Sequence, residues 1–118
     1  ADYKALADGL HARGMTLVQD IVVNHMGNFY AHDDWRADDP AHSWRPTRDS
    51  RPVAKPDAAP FSQNDPRDPA QRALGVYHWT PPIRDYTNER EERTFELAGL
   101  DDLRTTNPTV RRALRDAY

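Results

Sequence analysis

The octapeptide DIVVNHMG, Asp20 to Gly27, ends an apolar run of Ile and Val in an amide beside an imidazole. A strand that only had to stop would more often do so in Gly, Pro or Ser. Side chains alternate across a strand, so Asp20, Val22 and Asn24 share one face and Ile21, Val23 and His25 the other. Asn24 and His25 therefore diverge at the strand's end. One can enter a ligand cleft while the other meets whatever covers the strand. In βα architectures the C-terminal ends of strands carry the chemistry. A plainer reading stays open, in which Asn24 starts an Asx-turn and His25 is a satisfied, partly buried ring.

A second stretch, LAGLDDLRTTNP, sets Asp101 and Asp102 between leucines, which predicts burial. A buried carboxylate needs a cation or hydrogen-bond donors around it. Asp102 and Asn24 both offer oxygen, the donor that hard cations such as calcium take. One ion held by both would pin two distant parts of the chain together. The alternative is a capping or solvent-facing role for Asp101 and Asp102, just before a helix that begins near Thr106. His32, Asp33 and Asp34, with His25 upstream, form a thin zinc set, because the chain has no Cys and no helical i, i+4 pair of ligands.

The elements that must position these residues are partly legible. Tyr3, Leu6, Ala7 and Leu10 fall at i, i+3, i+4 and i+7, one face of a helix that begins at or before the first residue. Gly14 suits a left-handed cap. Residues 15–23, MTLVQDIVV, are mostly apolar and β-branched toward the end, which predicts a parallel strand buried on both faces. Helix, glycine turn and buried strand make half of a βαβ repeat. Nine of the ten prolines and all three tryptophans lie between Asn28 and Gly99, where neither period is sustained. A loop of that length inside a compact unit is usually functional or an inserted subdomain. Asp49 to Gln71, polar and Pro-rich, also fits disorder. Finally, Asn107 or Thr106 is an N-cap, Pro108 suits the first turn, and Val110, Ala113, Leu114 and Ala117 form the apolar face of a closing helix. The pattern starts inside one helix and ends inside another, so it reads as a fragment of a larger protein.

Composition narrows the classes. The 118 residues suffice for one small domain, and 37% hydrophobic content is lean for a self-sufficient core. A net charge of −3 leaves no dominant basic face, so nucleic acid is not the expected partner. No apolar run could span a membrane. Oligomeric state and localisation are not legible.

DIVVNH resembles the first signature region of the alpha-amylase superfamily, glycoside hydrolase family 13. GLDDLRTTNP is similar to the short motif near the end of that family's inserted domain B, usually written around Leu-Pro-Asp-Leu. HARGMTLVQDIVVNHMG also resembles the family's run from second helix into third strand. The resemblance covers the chain end to end, with the motifs in the family's order. It implies an α/β fold: a fragment of a (β/α)8 TIM barrel with an inserted irregular domain B. Residues 1–25 would be barrel helix and third strand, 26–104 domain B, and 105–118 the start of the following barrel helix.

The resemblance also implies roles. His25 matches the histidine that hydrogen-bonds the sugar at the cleavage subsite. Asn24 and Asp102 match ligands of a structural calcium joining barrel to domain B, completed by a backbone carbonyl near Arg93. Asp20 matches an aspartate that is mainly structural. Asp101 stands where Pro is common, and Arg104, where Asp or Asn is common, brings a cation beside the metal position. The implied activity is retaining cleavage or transfer of α-glucans (starch, maltooligosaccharides or cyclodextrins). Its catalytic carboxylates would follow later strands, beyond Tyr118. The adjacent acids Asp33–Asp34, Asp38–Asp39 and Glu91–Glu92 read as solvated faces. Trp35, Trp44, Tyr77, Trp79 and Tyr86 are candidates to stack on sugars, against the alternative of core packing. A non-catalytic member of the same fold, acting as an interaction or transport-accessory module, is the competing function.

Overall fold

The computed structural model describes residues 2–36, 38–39, 42–51 and 55–118; the side chain of Trp35, one of the stacking candidates, lies outside the described part. The chain opens with α1 (Asp2–His11). The helix ends in a Schellman motif: Gly14 N–H donates to His11 O at 2.9 Å and Met15 N–H to Leu10 O at 3.1 Å. Gly14 sits at φ 70°, left-handed backbone that a Cβ disfavours.

Residues 15–23 depart from expectation. They form no ladder with any other segment among the described residues. Val18 is 86% exposed, and Ile21, Val22 and Val23 are exposed as well. Asp20 is also exposed. The physical reason is that a parallel strand is defined by the strands beside it. Neighbours that could pair with both edges are not supplied by these residues. Accordingly the described chain contains no barrel, only a small mix of short helices and one two-stranded sheet.

That sheet pairs β1 (Tyr30–His32) antiparallel with β2 (Trp44–Pro46), with Ala31 opposite Arg45. Short helices follow: α2 (Pro69–Ala73), capped by Asp68, and α3 (Glu89–Thr94), capped by Asn88. The Pro-rich stretch is organised by polar contacts. Arg67 makes a two-pronged pair with Asp65, at 2.9 and 2.8 Å, and this holds the Asp65 carboxyl down at about 2. The Tyr77 hydroxyl donates to Phe61 O at 2.8 Å and ties that stretch to the core.

Two buried clusters hold the fold. One is Val76, Tyr77, Leu103 and Val110; the other is Phe29, Tyr30 and Trp44. Met26 and Trp79 pack against both and join them. Trp79 meets Tyr30 edge-on at 6.1 Å and Trp44 at 5.4 Å, and lies tilted on Tyr77 at 4.8 Å. Its backbone stands at φ 53°, a conformation that a bulky aromatic residue rarely adopts. The surrounding rings over-determine the position, so the strain is tolerated.

The chain closes with α4 (Pro108–Ala117), whose Val110 is fully buried. Asn107 is the cap: its Oδ1 accepts from Thr109 N–H at 2.9 Å, and its Nδ2 donates to Leu74 O at 3.0 Å and to Gly75 O at 2.9 Å. One side chain thus starts the helix and fixes where it docks. Asn107→Ala is expected to lower stability by about 1–2 kcal/mol, read as a lower urea midpoint at unchanged slope. An unchanged midpoint would reject the double role.

Candidate functional site

The two motifs meet in space. Leu103 N–H donates to Asn24 O at 2.8 Å, Met26 N–H to Asp101 O at 3.0 Å, and Asp101 N–H to Gly27 O at 3.3 Å. His25 and Asp102 are antiparallel bridge partners. On the other edge, Arg104 N–H donates to Val76 O at 2.9 Å and His78 N–H to Asp102 O at 3.0 Å. Tyr77 and Leu103 form a second bridge. Residues 101–104 are therefore the middle member of a three-segment patch, with 24–27 on one side and 76–78 on the other.

His25 stands at the edge of this patch, partly exposed. Its ring makes no hydrogen bond among the described residues. Nδ1 is buried without a partner, whereas Nε2 is not among the buried unpartnered atoms and so reaches solvent. Nε2 is therefore the ring atom open to a ligand. Met26, the next residue, is wedged between both cores, so the backbone beneath the ring is fixed.

Asn24 commits its carbonyl to Leu103 and leaves the residue exposed. Asp102 turns its carboxylate to a residue absent from the sequence-derived set: Oδ2 lies 2.5 Å from His78 Nδ1, with both side chains largely buried. Among the described residues no three His, Cys, Asp or Glu side chains converge as a metal-holding group. Arg93 is at the end of α3 and pairs with Glu89 at 2.6 Å. Arg104 lies along Gly75, its guanidinium nitrogen 3.5 Å from where a Cβ would stand.

The proposed stacking residues divide. Trp44 and Tyr77 are core, Tyr86 is 59% exposed, and Trp79 bridges the two clusters. His32 packs edge-on against Trp44 at 4.8 Å and bonds Asp34 through Nδ1 at 3.1 Å, so its ring serves packing. Asp33 pairs with Arg45, Asp34 with Arg84, and Glu91 accepts from the Arg84 and Asp85 backbone.

Beside Asp101, whose burial the flanking leucines predict, stands a buried carboxyl absent from the sequence reading, Glu96. Glu96 and Asp101 are 2% and 0% exposed. Both Glu96 oxygens and Asp101 Oδ1 are buried without partners, while Asp101 Oδ2 accepts from Phe29 N–H at 3.3 Å. Burial, and then the carboxylates of Asp101 and Asp102, push Glu96 up to about 8. Burial pushes Asp101 up to about 7, against the pull of the Phe29 and Tyr30 backbone and of Lys55. The upward direction belongs to both, and protons leave such neighbours as a coupled set. Two raised carboxyls invite a catalytic reading. Their complete burial rules it out here, because an acid or nucleophile must touch its substrate. The signal was present in FELAGL, where apolar neighbours flank Glu96 as leucines flank Asp101.

A family model described as "Alpha amylase, catalytic domain" matches residues 1–118. Neither a curated protein nor a solved structure matches the chain.

Proposed function

Because the chain belongs to the alpha-amylase family, whose members are glycosidases, we propose that it builds one wall of the substrate cleft of a retaining enzyme acting on α-glucans. The family implies a TIM barrel, in which residues 15–23 would find their ladder partners. The nucleophile and the acid/base are then carboxylates outside residues 1–118.

The observation that carries this reading is the solvent-open Nε2 of His25. A hydrogen bond between that nitrogen and a sugar hydroxyl strengthens as the sugar ring gains positive, oxocarbenium-like charge, because its hydroxyls become better donors. Such a bond lowers the barrier without moving a proton, because it is stronger in the transition state than in the bound substrate. Backbone pairing of 24–27 with 101–103 fixes the ring's origin, and Met26 between two cores resists its drift. Preorganisation of this kind spares the cost of reorienting the ring during reaction.

The test is turnover of maltooligosaccharides by the complete protein, followed by proton NMR. The first product expected is the α-anomer, which then mutarotates. Initial β-anomer would overturn the retaining mechanism, and no turnover of any α-glucan would overturn the enzyme reading in favour of an accessory barrel.

A further inference from the structure

We propose that His78 takes the place of the calcium ion at Asp102, so that an imidazole–carboxylate pair, rather than a metal, locks residues 76–78 to the segment 101–104 that pairs with the segment carrying His25. The argument begins with what a structural cation does. It gathers oxygens from distant segments and neutralises their charge, taking six to eight ligands when it is calcium. Here the chain itself joins the segments and gives the carboxylate its partner.

The joining task is met by backbone. Residues 101–104 bond to Asn24 and Met26 on one edge and to Val76 and His78 on the other, so three distant segments are held without a bridging ion. The Asp102 carboxylate has its donor in His78. Its Nδ1 stands 2.5 Å from Asp102 Oδ2, and with side chains only 17% and 13% exposed the pair is shielded from water. A hydrogen bond to a carboxylate in such surroundings is short and strong. Nδ1 must carry a hydrogen to make it. A dication approaching the same oxygen would meet that N–H with its positive end forward.

The ligand task is where calcium fits worst. Asn24, the second ligand that the resemblance implies, has its backbone carbonyl paired with Leu103 N–H, so it offers one side-chain oxygen at most. No third acidic or histidine side chain among the described residues converges on the place. The unpartnered oxygens nearby, both of Glu96 and Oδ1 of Asp101, are sealed in the interior, and Asp101 Oδ2 accepts from Phe29 N–H. His78 is well suited to its post. It precedes Trp79, which is fixed between two cores, and its own N–H is bonded to Asp102 O at 3.0 Å. Backbone and side chain of Asp102 are thus gripped by one residue.

The experiment is thermal unfolding of the complete protein in chelator and in calcium chloride, for the wild type, D102N, H78F and H78N. Asparagine retains a donor near the position of Nδ1, whereas phenylalanine keeps the ring and loses the donor. The expected order of Tm is wild type, then H78N, then H78F lowest by several degrees. The Tm difference between calcium and chelator is expected to be equal in wild type and D102N, so ions bound elsewhere cancel. A calcium-dependent gain in the wild type that D102N abolishes would overturn the proposal. So would H78F as stable as the wild type. H78N and H78F both retain Asp102, so their comparison stands if D102N does not fold. Because the readout is stability, absence of glycosidase turnover would defeat the functional reading above without touching this one.

Discussion

His25→Ala is expected to lower kcat/KM on maltooligosaccharides by about 100- to 1,000-fold, the loss usual when one preorganised hydrogen bond to a charged transition state is removed. The larger part should fall on kcat. A bond that strengthens during reaction contributes more to the transition state than to binding, so KM should move little. His25→Gln offers a weaker hydrogen-bonding group of similar reach and should recover part of the loss. The ring is partly exposed and makes no hydrogen bond among the described residues, so its removal should leave Tm nearly unchanged. A fall in activity matched by a fall in Tm would instead mean that His25 is structural. An unchanged rate would remove it from the site.

The second large effect concerns pH. Glu96 is held up at about 8 and Asp101 at about 7, both far above an exposed carboxyl. Below pH 4 these groups are protonated whether the chain is folded or not, and they cost nothing. Between the ordinary carboxyl range and about pH 8 the unfolded chain releases its protons while the folded chain keeps them. Folding stability therefore falls as pH rises through that window, and levels off above it. Glu96→Gln removes one of the two groups and keeps its shape. Near pH 5 the variant should be no more stable than wild type, because its amide is as unpartnered as the acid it replaces. By pH 8 to 9 it should be more stable by roughly 2–4 kcal/mol, a difference of several degrees in Tm. The decisive quantity is the Tm difference between variant and wild type as pH increases. A difference that stayed flat from pH 5 to 9 would show that Glu96 ionises as freely as a surface acid.

What the sequence could say follows from how far each signal reaches. α1 and α4 were legible because a helix is written in neighbours: one apolar face, Gly14 after the first, Asn107 and Pro108 before the second. Residues 15–23 were read correctly for composition, yet they form no strand here. A ladder is a relation between segments, and no described segment answers theirs. The approach of Asp102 to Asn24 was legible through their shared oxygen chemistry and through the resemblance, since nothing local links residues so far apart. His78 was missed for the same reason. It lies 24 positions from the carboxylate it holds, inside a run whose aromatics drew the eye. Trp44 and Tyr77 could be read as sugar platforms, but core packing was the stronger reading for each. Burial decided for core, and burial is a property of the packed chain rather than of the residue.

The middle position of residues 101–104 has a consequence for how the protein is made. Phe29 and the carboxylate that receives its N–H are 72 residues apart. At roughly 5–20 residues per second, the first partner waits on the ribosome for several seconds before the second emerges. Closing a loop of that span costs on the order of 4 kcal/mol of chain entropy, and that cost falls due before any contact between the two can repay it. The patch in which 101–104 joins 24–27 to 76–78 must therefore be among the last parts of this region to set.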